Sequence, residues 1–382
     1  MQLDTFRSQF FEEESVAQIT SFLKSKDDVS LRNVSGSLYA LTAFAVIEKT
    51  QGFHLFIQPD KEQALYLIND LENIIQQQRG TTILFYPASY RRPYQIMEAD
   101  PTSVLQRTEV INALEKQRKK VIIVTYPEAI VEKVIDRSTL KKQSIVLNKE
   151  EEVDLDFLND LLIELQFDKV DYVYEPGQFA IRGGILDIYS FGNEYPFRIE
   201  FFGEEIDSIR KFDPISQLSV GKLTRATVVP NVGKKMLHES KESFFSFIPQ
   251  DTVIWMHDVV RCKSGLEKEL SKAKAHYERL DGEQELTPPE ELYLDPGVFK
   301  SMIEDFGVVE FGGGTTFPDR LTIDFKMTEQ PAFNKNFDMT SSNLIANGRN
   351  GYVNVIVSGQ ATQLERLHDI FTEREDDAPY NP

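Results

Sequence analysis

The spacing of apolar residues changes along this chain, and each change marks a different kind of element. Between positions 4 and 23, Phe6, Phe10, Phe11, Ile19, Phe22 and Leu23 recur at roughly helical spacing, which predicts an amphipathic opening helix. Residues 53–58 then read as a strand. Pro59 and Asp60 follow, Asp60 and Gln63 stand at capping-box spacing, and Ala64, Leu65, Ile68, Leu71 and Ile75 predict one apolar helix face. The strand-then-helix unit recurs, with strands at 82–86 and 121–125, a helix at 103–118 and Pro127 opening another helix. Such alternation predicts a parallel sheet covered by helices.

Near Asn148 the pattern changes. The run Lys149-Glu150-Glu151-Glu152 leads into a predicted helix with Leu155, Leu158, Leu161, Leu162 and Leu165 on one side. Short strands with tight glycine turns follow at 172–175, 179–182, 185–189, 197–202 and 205–212, the spacing of a small antiparallel sheet. After about Val228 a strand is expected at 252–256, a helix at 264–277 and strands at 308–311 and 321–325, a return to the first domain. Residues 331–382 hold a helix, a strand at 352–358 and a helix at 361–374, an α/β segment that stops before closing a sheet and is expected to be truncated. The reading is therefore an α/β protein: 1–150 as the first part of a parallel-sheet domain, 151–228 as an inserted small antiparallel α+β domain, 229–330 as the return of the first domain, and 331–382 as a truncated C-terminal α/β segment.

At 382 residues the chain exceeds one ordinary core, and a prior of about 150 residues per domain agrees with that division. No stretch approaches the roughly 18 apolar residues needed to span a bilayer. The acidic start lacks the basic then apolar segments of a signal peptide, so a cytoplasmic protein without a membrane partner is expected. Cys262 is the single cysteine, and no histidine stands in a spaced ligand pattern with another His or a Cys, so no structural metal is expected. A net charge of −19 opposes tight non-specific binding of the whole chain to a phosphate backbone, although a local basic patch can escape that average.

Candidate chemistry begins at Asn33-Val34-Ser35-Gly36-Ser37-Leu38-Tyr39-Ala40, in front of a helix, where a nucleotide-binding loop would sit. Such a loop needs a second glycine for backbone approach, a lysine for the β and γ charges and a hydroxyl for magnesium. Those places hold Leu38, Tyr39 and Ala40, so no catalytic residue, no ATP turnover and no cofactor are expected; residues 35–37 are read as a turn capping the helix. His257 and Asp258 end an apolar strand where an Asp-Glu pair would hold magnesium, and His257 is read as a surface or packing residue.

The run Glu175-Pro-Gly-Gln-Phe-Ala-Ile-Arg-Gly-Gly-Ile-Leu-Asp-Ile-Tyr, continued by Pro196-Phe-Arg-Ile-Glu-Phe-Phe-Gly-Glu-Glu-Ile-Asp-Ser-Ile-Arg-Lys-Phe-Asp213, closely resembles the second domain of the bacterial transcription-repair coupling factors, a domain shared with the repair helicase UvrB. Weaker similarity covers most of 30–228, and residues from Gln330 onward resemble the start of the family's third domain. The resemblance implies that the first domain is a degenerate RecA-like, helicase-type fold without working ATPase motifs, and that the small domain binds UvrA through Arg182, Arg198 and Phe202. Without it, Arg182 and Arg198 read as solvated or as internal partners of Glu200 and Asp207, and Phe202 as core. Strand alternation places Arg198, Glu200 and Phe202 on one face and Phe197, Ile199 and Phe201 on the other; Gly183 and Gly184 form the adjoining bend.

In the full-length family, the resemblance implies an ATP- and magnesium-dependent motor further along the chain that translocates on double-stranded DNA and displaces stalled RNA polymerase, linking it to nucleotide excision repair. Two other functions stay open: a structural or autoinhibitory module restraining that motor, and a UvrB-like ATPase loading on damaged DNA. UvrB's long tyrosine-rich hairpin has only 85–94 as its counterpart here; Tyr90, Arg91, Arg92 and Tyr94 are candidates for base stacking or phosphate contact in a segment too short for that hairpin. Residues 311–314 (Phe-Gly-Gly-Gly) read as a turn.

Overall fold

Strands that are apolar on both faces can be buried only between two layers of helices, and the first domain is built that way. The computed structural model describes residues 13–25, 28–34, 36–75, 81–89, 101–115, 120–135, 145–165, 167–191, 193, 195–229, 241–280, 287–312, 321–325, 327, 330–356, 358 and 360–373. In chain order, α1 (Glu14–Lys24), β1 (Val29–Arg32), α2 (Leu38–Lys49), β2 (Gly52–Ile57), α3 (Lys61–Ile75), β3 (Thr82–Phe85), α4 (Pro101–Glu115), β4 (Lys120–Thr125), α5 (Pro127–Ile130) and β5 (Val134–Ile135) come first. The middle part holds β6 (Ile145–Asn148), α6 (Leu155–Glu164), β7 (Asp168–Lys169), β8 (Gln178–Arg182), β9 (Ile185–Ile188), β10 (Phe197–Phe202), β11 (Glu205–Phe212), β12 (Ser219–Leu223) and β13 (Arg225–Val228). Then come β14 (Lys241–Glu242), β15 (Val253–His257), α7 (Val259–Leu280), α8 (Pro289–Leu292), α9 (Phe299–Ile303), β16 (Gly307–Phe311), β17 (Leu321–Asp324), α10 (Phe337–Arg349) and α11 (Ala361–Glu373).

Seven strands form one sheet in the order β17-β1-β16-β15-β2-β4-β3, with every neighbouring pair parallel. The pattern of alternating strands and helices is thus realised as an α/β core. The expected cap of α3 is present, since Asp60 Oδ1 accepts the Gln63 N–H at 2.9 Å. Its buried face differs by one position: Ala64, Leu67, Leu71 and Ile75 face the core, Ile68 packs at its margin and Leu65 is exposed. A spacing of 3.6 residues from Ala64 reaches Leu67 and Ile68 and leaves Leu65 about 100° away.

The chain leaves this domain after β5 and returns at β14, and those two strands pair antiparallel. Further out, β6 pairs antiparallel with β13, Ile145 opposite Val228. Two clasps therefore hold the ends of the excursion together. The first strand of the second clasp, β6, ends at Asn148, where the sequence pattern changes. Between them, β7 to β12 form a separate sheet in the order β12-β11-β10-β9-β8-β7, antiparallel except for the parallel pair β7–β8. This is the expected α/β fold with a small inserted antiparallel domain. The strand expected at 172–175 is absent; those residues form a loop, and Asp168–Lys169 takes the edge position beside β8. Asp154 caps α6 by accepting from the N–H groups of Asp156 and Phe157. Leu158 and Leu162 of α6, with Leu165 beyond it, then pack on the inner face of the small sheet.

Residues 327–382 form a second compact unit. Asn336 caps α10 by accepting the Met339 N–H at 3.1 Å. The strand expected at 352–358 does not form among the described residues: 352–356 make no ladder, and Tyr352, Val353 and Val355 are exposed. An alternating pattern becomes a strand only when a neighbour supplies the other half of its hydrogen bonds.

One polar chain crosses the first core. Trp255 Nε1 donates to His54 Nδ1 at 3.1 Å, which leaves the His54 proton on Nε2, 3.0 Å from Thr50 Oγ1; that hydroxyl donates to the Val46 carbonyl at 2.9 Å. Burial, with Lys120 adding to it, lowers the His54 pKa to about 3. The unfolded chain therefore binds a proton that the folded chain refuses below the ordinary histidine value near 6.5. The stability contributed by neutral His54 is complete above that value and is lost as the pH falls toward 3. From pH 7 to pH 5 the loss is about 2 kcal/mol, and urea titrations of wild type and His54→Gln at both pH values should show a smaller pH dependence in the variant.

Candidate interaction site

Alternation along β10 builds the outer face of the small sheet. Phe197, Ile199 and Phe201 turn inward to the core under α6, whereas Arg198 and Glu200 turn outward. Register then stacks outward side chains in rows across the strands. Ala180, Asp187, Arg198, Arg210 and Lys222 lie opposite one another from β8 to β12, and Arg182, Ile185, Glu200 and Ser208 form the neighbouring row. A register shift between Glu200 and Phe201 precedes the hairpin tip, where Gly203 takes a left-handed turn and Phe202 is 85% exposed. Phe202 is therefore not core. At the adjoining bend, Gly184 approaches the chain of β10 so closely that a Cβ would stand 2.9 Å from the Phe201 carbonyl oxygen.

The row is organised by Asp187, whose side chain is fully buried. Arg198 grips it with two bonds, Nε to Oδ1 at 2.7 Å and Nη2 to Oδ2 at 2.8 Å, and Arg182 donates to the same Oδ2 through Nη2. The Asp187 hydrogen bond raises the Arg198 pKa. The arginines are thus internal partners, but of Asp187 and not of Glu200 or Asp207: Glu200 holds Arg210 and the Ser208 hydroxyl, and Asp207 is exposed.

Their remaining donors differ. Arg198 also donates Nη2 to Gln217 Oε1 at 3.0 Å and Nη1 to the Gln217 carbonyl at 3.4 Å, and its guanidinium lies 4.3 Å from the centre of the Phe212 ring. Arg182 donates Nη1 to the Asp171 carbonyl at 2.6 Å and lies over Tyr172 at 4.8 Å. Arg182 has 34% of its side chain exposed against 18% for Arg198, so Arg182 has more of its fork free for a partner. Asp187, Phe212 and Gln217 were missed in the sequence. A lone Asp within the apolar strand Ile185–Ile188 was the available signal.

The loop after β1 places its residues elsewhere. Asn33 and Gly36 have positive φ, and the Asn33 amide donates to Asp324 Oδ1 at 2.7 Å. Ser37 stands at the N-cap position of α2 without a capping bond, and its hydroxyl reaches Asp70 instead; Ser35 lies outside the described residues. Leu38 is half-buried and Ala40 buried. Tyr39 points into the core, stacked on Phe311 at 3.6 Å between ring centres and edge-on to Phe56 and Trp255. Burial raises its phenol pKa well above the ordinary value. At the end of β15, His257 packs edge-on against Phe311 with its centre 5.0 Å away, and a Cβ on Gly312 would meet the His257 ring at 2.7 Å. Tyr90, Arg91, Arg92, Tyr94, Gly313 and Gly314 lie outside the described residues.

Removing one side of a buried ion pair costs about 3–5 kcal/mol because the other charge is left without a partner. Asp187→Ala should lose stability in that range in a denaturant titration, and Arg182→Ala much less, since Arg198 keeps both of its bonds to the carboxylate. Arg198→Ala should lower both stability and any function of this face. Tyr39→Lys would bury an ammonium among Phe56, Trp255 and Phe311; the expected result is a several-kcal/mol loss of stability with no ATP turnover, checked by denaturation and phosphate release.

The UvrB interaction domain family matches residues 145–233, a span that begins with β6 and passes the end of β13. The transcription-repair-coupling factor of Bacillus subtilis (strain 168) is 29% identical over 227 residues, covering 56% of this chain and 19% of that protein. The protein of the same name from Escherichia coli (strain K12) is 26% identical over 209 residues, 54% of this chain and 18% of its own length. UvrABC system protein B of Thermosipho africanus (strain TCF52B) is 26% identical over 209 residues, 53% of this chain and 32% of its own length. The chain spans about a fifth of these coupling factors and about a third of that UvrB. Residues 145–233 match the UvrB interaction domain family, within a chain that is similar over about half its length to part of the transcription-repair-coupling factors and of UvrB.

Proposed function

We propose that this chain is a recruitment module of nucleotide excision repair whose small domain docks on UvrA. The observation that carries the reading is Phe202, 85% exposed at the tip of a hairpin whose outer face presents arginines held in place by buried Asp187. An exposed aromatic beside pre-oriented guanidinium groups is the composition of an interface hot spot, and holding the side chains in advance lowers the entropy lost on binding. The partner surface would carry carboxylates for the free donors of Arg182 and an apolar depression for Phe202.

The chain is not itself the ATPase in this reading. Tyr39, Leu38 and Ala40 stand where a phosphate loop needs lysine, glycine and a hydroxyl, and the Tyr39 ring lies in the core against Phe311. ATP, magnesium, double-stranded DNA and RNA polymerase are then engaged by other parts of a longer protein, and the module supplies the link to repair.

A calorimetric titration with UvrA tests this. Wild type should bind, and Phe202→Ala and Arg182→Ala should each weaken binding by about 2 kcal/mol or more, the first at unchanged melting temperature and the second in a protein that stays folded and loses much less stability than Asp187→Ala. Failure of the folded wild type to bind UvrA overturns the reading in favour of a module that only restrains the rest of its protein.

A further inference from the structure

Phe202, Arg182 and Arg198 cannot make up a whole docking footprint. A specific protein interface covers about 800 Å² and 20–30 residues on each partner. Beyond Phe202 the sheet ends at its hairpin tip. In the opposite direction along the outer face lie two loops, 170–175 and 213–218, and both carry apolar side chains that the described residues leave exposed. Ile215 is 88% exposed and Leu218 70%, and Tyr172, Tyr174 and Val220 are also more than half exposed.

These loops are held in shape. Asp213 Oδ1 accepts from the Ile215 N–H, the Ser216 N–H and the Ser216 hydroxyl, at 3.1, 2.7 and 2.9 Å. The Asp213 N–H donates to the Leu218 carbonyl and the Gln217 N–H to the Asp213 carbonyl, each at 2.8 Å. Gln217, at a φ of 59°, then joins the pieces. Its amide donates to the carbonyls of Pro214 at 2.7 Å and Val173 at 3.4 Å, and its Oε1 accepts from Arg198. On the other side, Arg182 is bonded to Asp171 and lies over Tyr172. Both loops are therefore continuous with the arginine pair, and a rigid display of Ile and Leu at this exposure gains free energy only by being covered, at about 25 cal/mol per Å² of apolar surface removed from water.

We infer that Ile215 and Leu218, held by Asp213 and Gln217, form a second anchor of the UvrA-docking face, at the end opposite Phe202. The inference rests on the UvrA reading above. The occupant is the same UvrA surface because the two loops are bonded directly to the arginine pair of that face, Gln217 to Arg198 and Asp171 to Arg182. A partner surface that offers carboxylates to the guanidinium groups and an apolar depression to the two aliphatic side chains fits both.

The test is a calorimetric titration of UvrA with wild type and with the Ile215→Ser, Leu218→Ser double variant, with Phe202→Ala as the reference and light scattering of each protein alone. Both substituted side chains are exposed and Asp213 keeps its turn, so the melting temperature should be unchanged. Binding at least tenfold weaker, in a variant as monomeric as wild type, supports the second anchor. Wild-type affinity in the double variant, with Phe202→Ala impaired, overturns the anchor and leaves the UvrA reading standing. Self-association in wild type that the double variant abolishes assigns the patch to a second copy and also overturns it. Absence of wild-type binding overturns the UvrA reading itself.

Discussion

A carboxylate without solvent must be paired, and the pairing of Asp187 sets the layout of the small domain's outer face. Its two oxygens take three guanidinium donors, from Arg198 and Arg182, on neighbouring strands either side of its own. That requirement orients both arginines. Through Arg198 it reaches Phe212 and Gln217, and through Arg182 it reaches Asp171 and Tyr172, so the covering loops are tied to the same point. Charges that would wave freely on an ordinary surface are here presented in fixed directions, which is what recognition of a partner demands.

The larger domain supplies a rigid base and tolerates the excursion for a topological reason. A parallel sheet buried on both faces keeps its register by burial, so a long insertion between two of its strands costs little if its ends are held together. Pairing of β5 with β14 and of β6 with β13 does that. At residues 29–49 the same sheet has a strand, a loop and a helix, and Tyr39, in the first turn of that helix, is turned inward and joins it to the hydrophobic core. An aromatic side chain at that place serves packing.

Local signals in the sequence carried much of the architecture. Alternation of apolar strands with capped helices specified the α/β class, because period and capping act over a few residues and need no distant partner; Asp60 capping α3 is one instance. The short strands and glycine turns likewise marked a small antiparallel sheet, and strand parity put Arg198 and Glu200 on the side opposite Phe197 and Ile199, as found. The replacement of the lysine and magnesium-hydroxyl positions by Tyr39 and Ala40 was visible residue by residue.

What needed tertiary structure was every question of who meets whom. Asp187 and Arg198 are 11 residues apart, and only the register of β9 against β10 puts them opposite each other; the expected partners Glu200 and Asp207 were nearer in sequence but are otherwise placed. Phe202 has the character of a core residue, and its exposure follows from lying beyond a register shift at a hairpin tip. Residues 172–175 and 352–356 have strand-like composition and form no ladder, since a strand is completed by a neighbour that its own residues do not choose. The amino-acid sequence by itself determined the elements, because propensity, period and caps are short-range; the structure alone decided the partners, because burial and pairing bring together groups whose separation along the chain carries no trace of the contact.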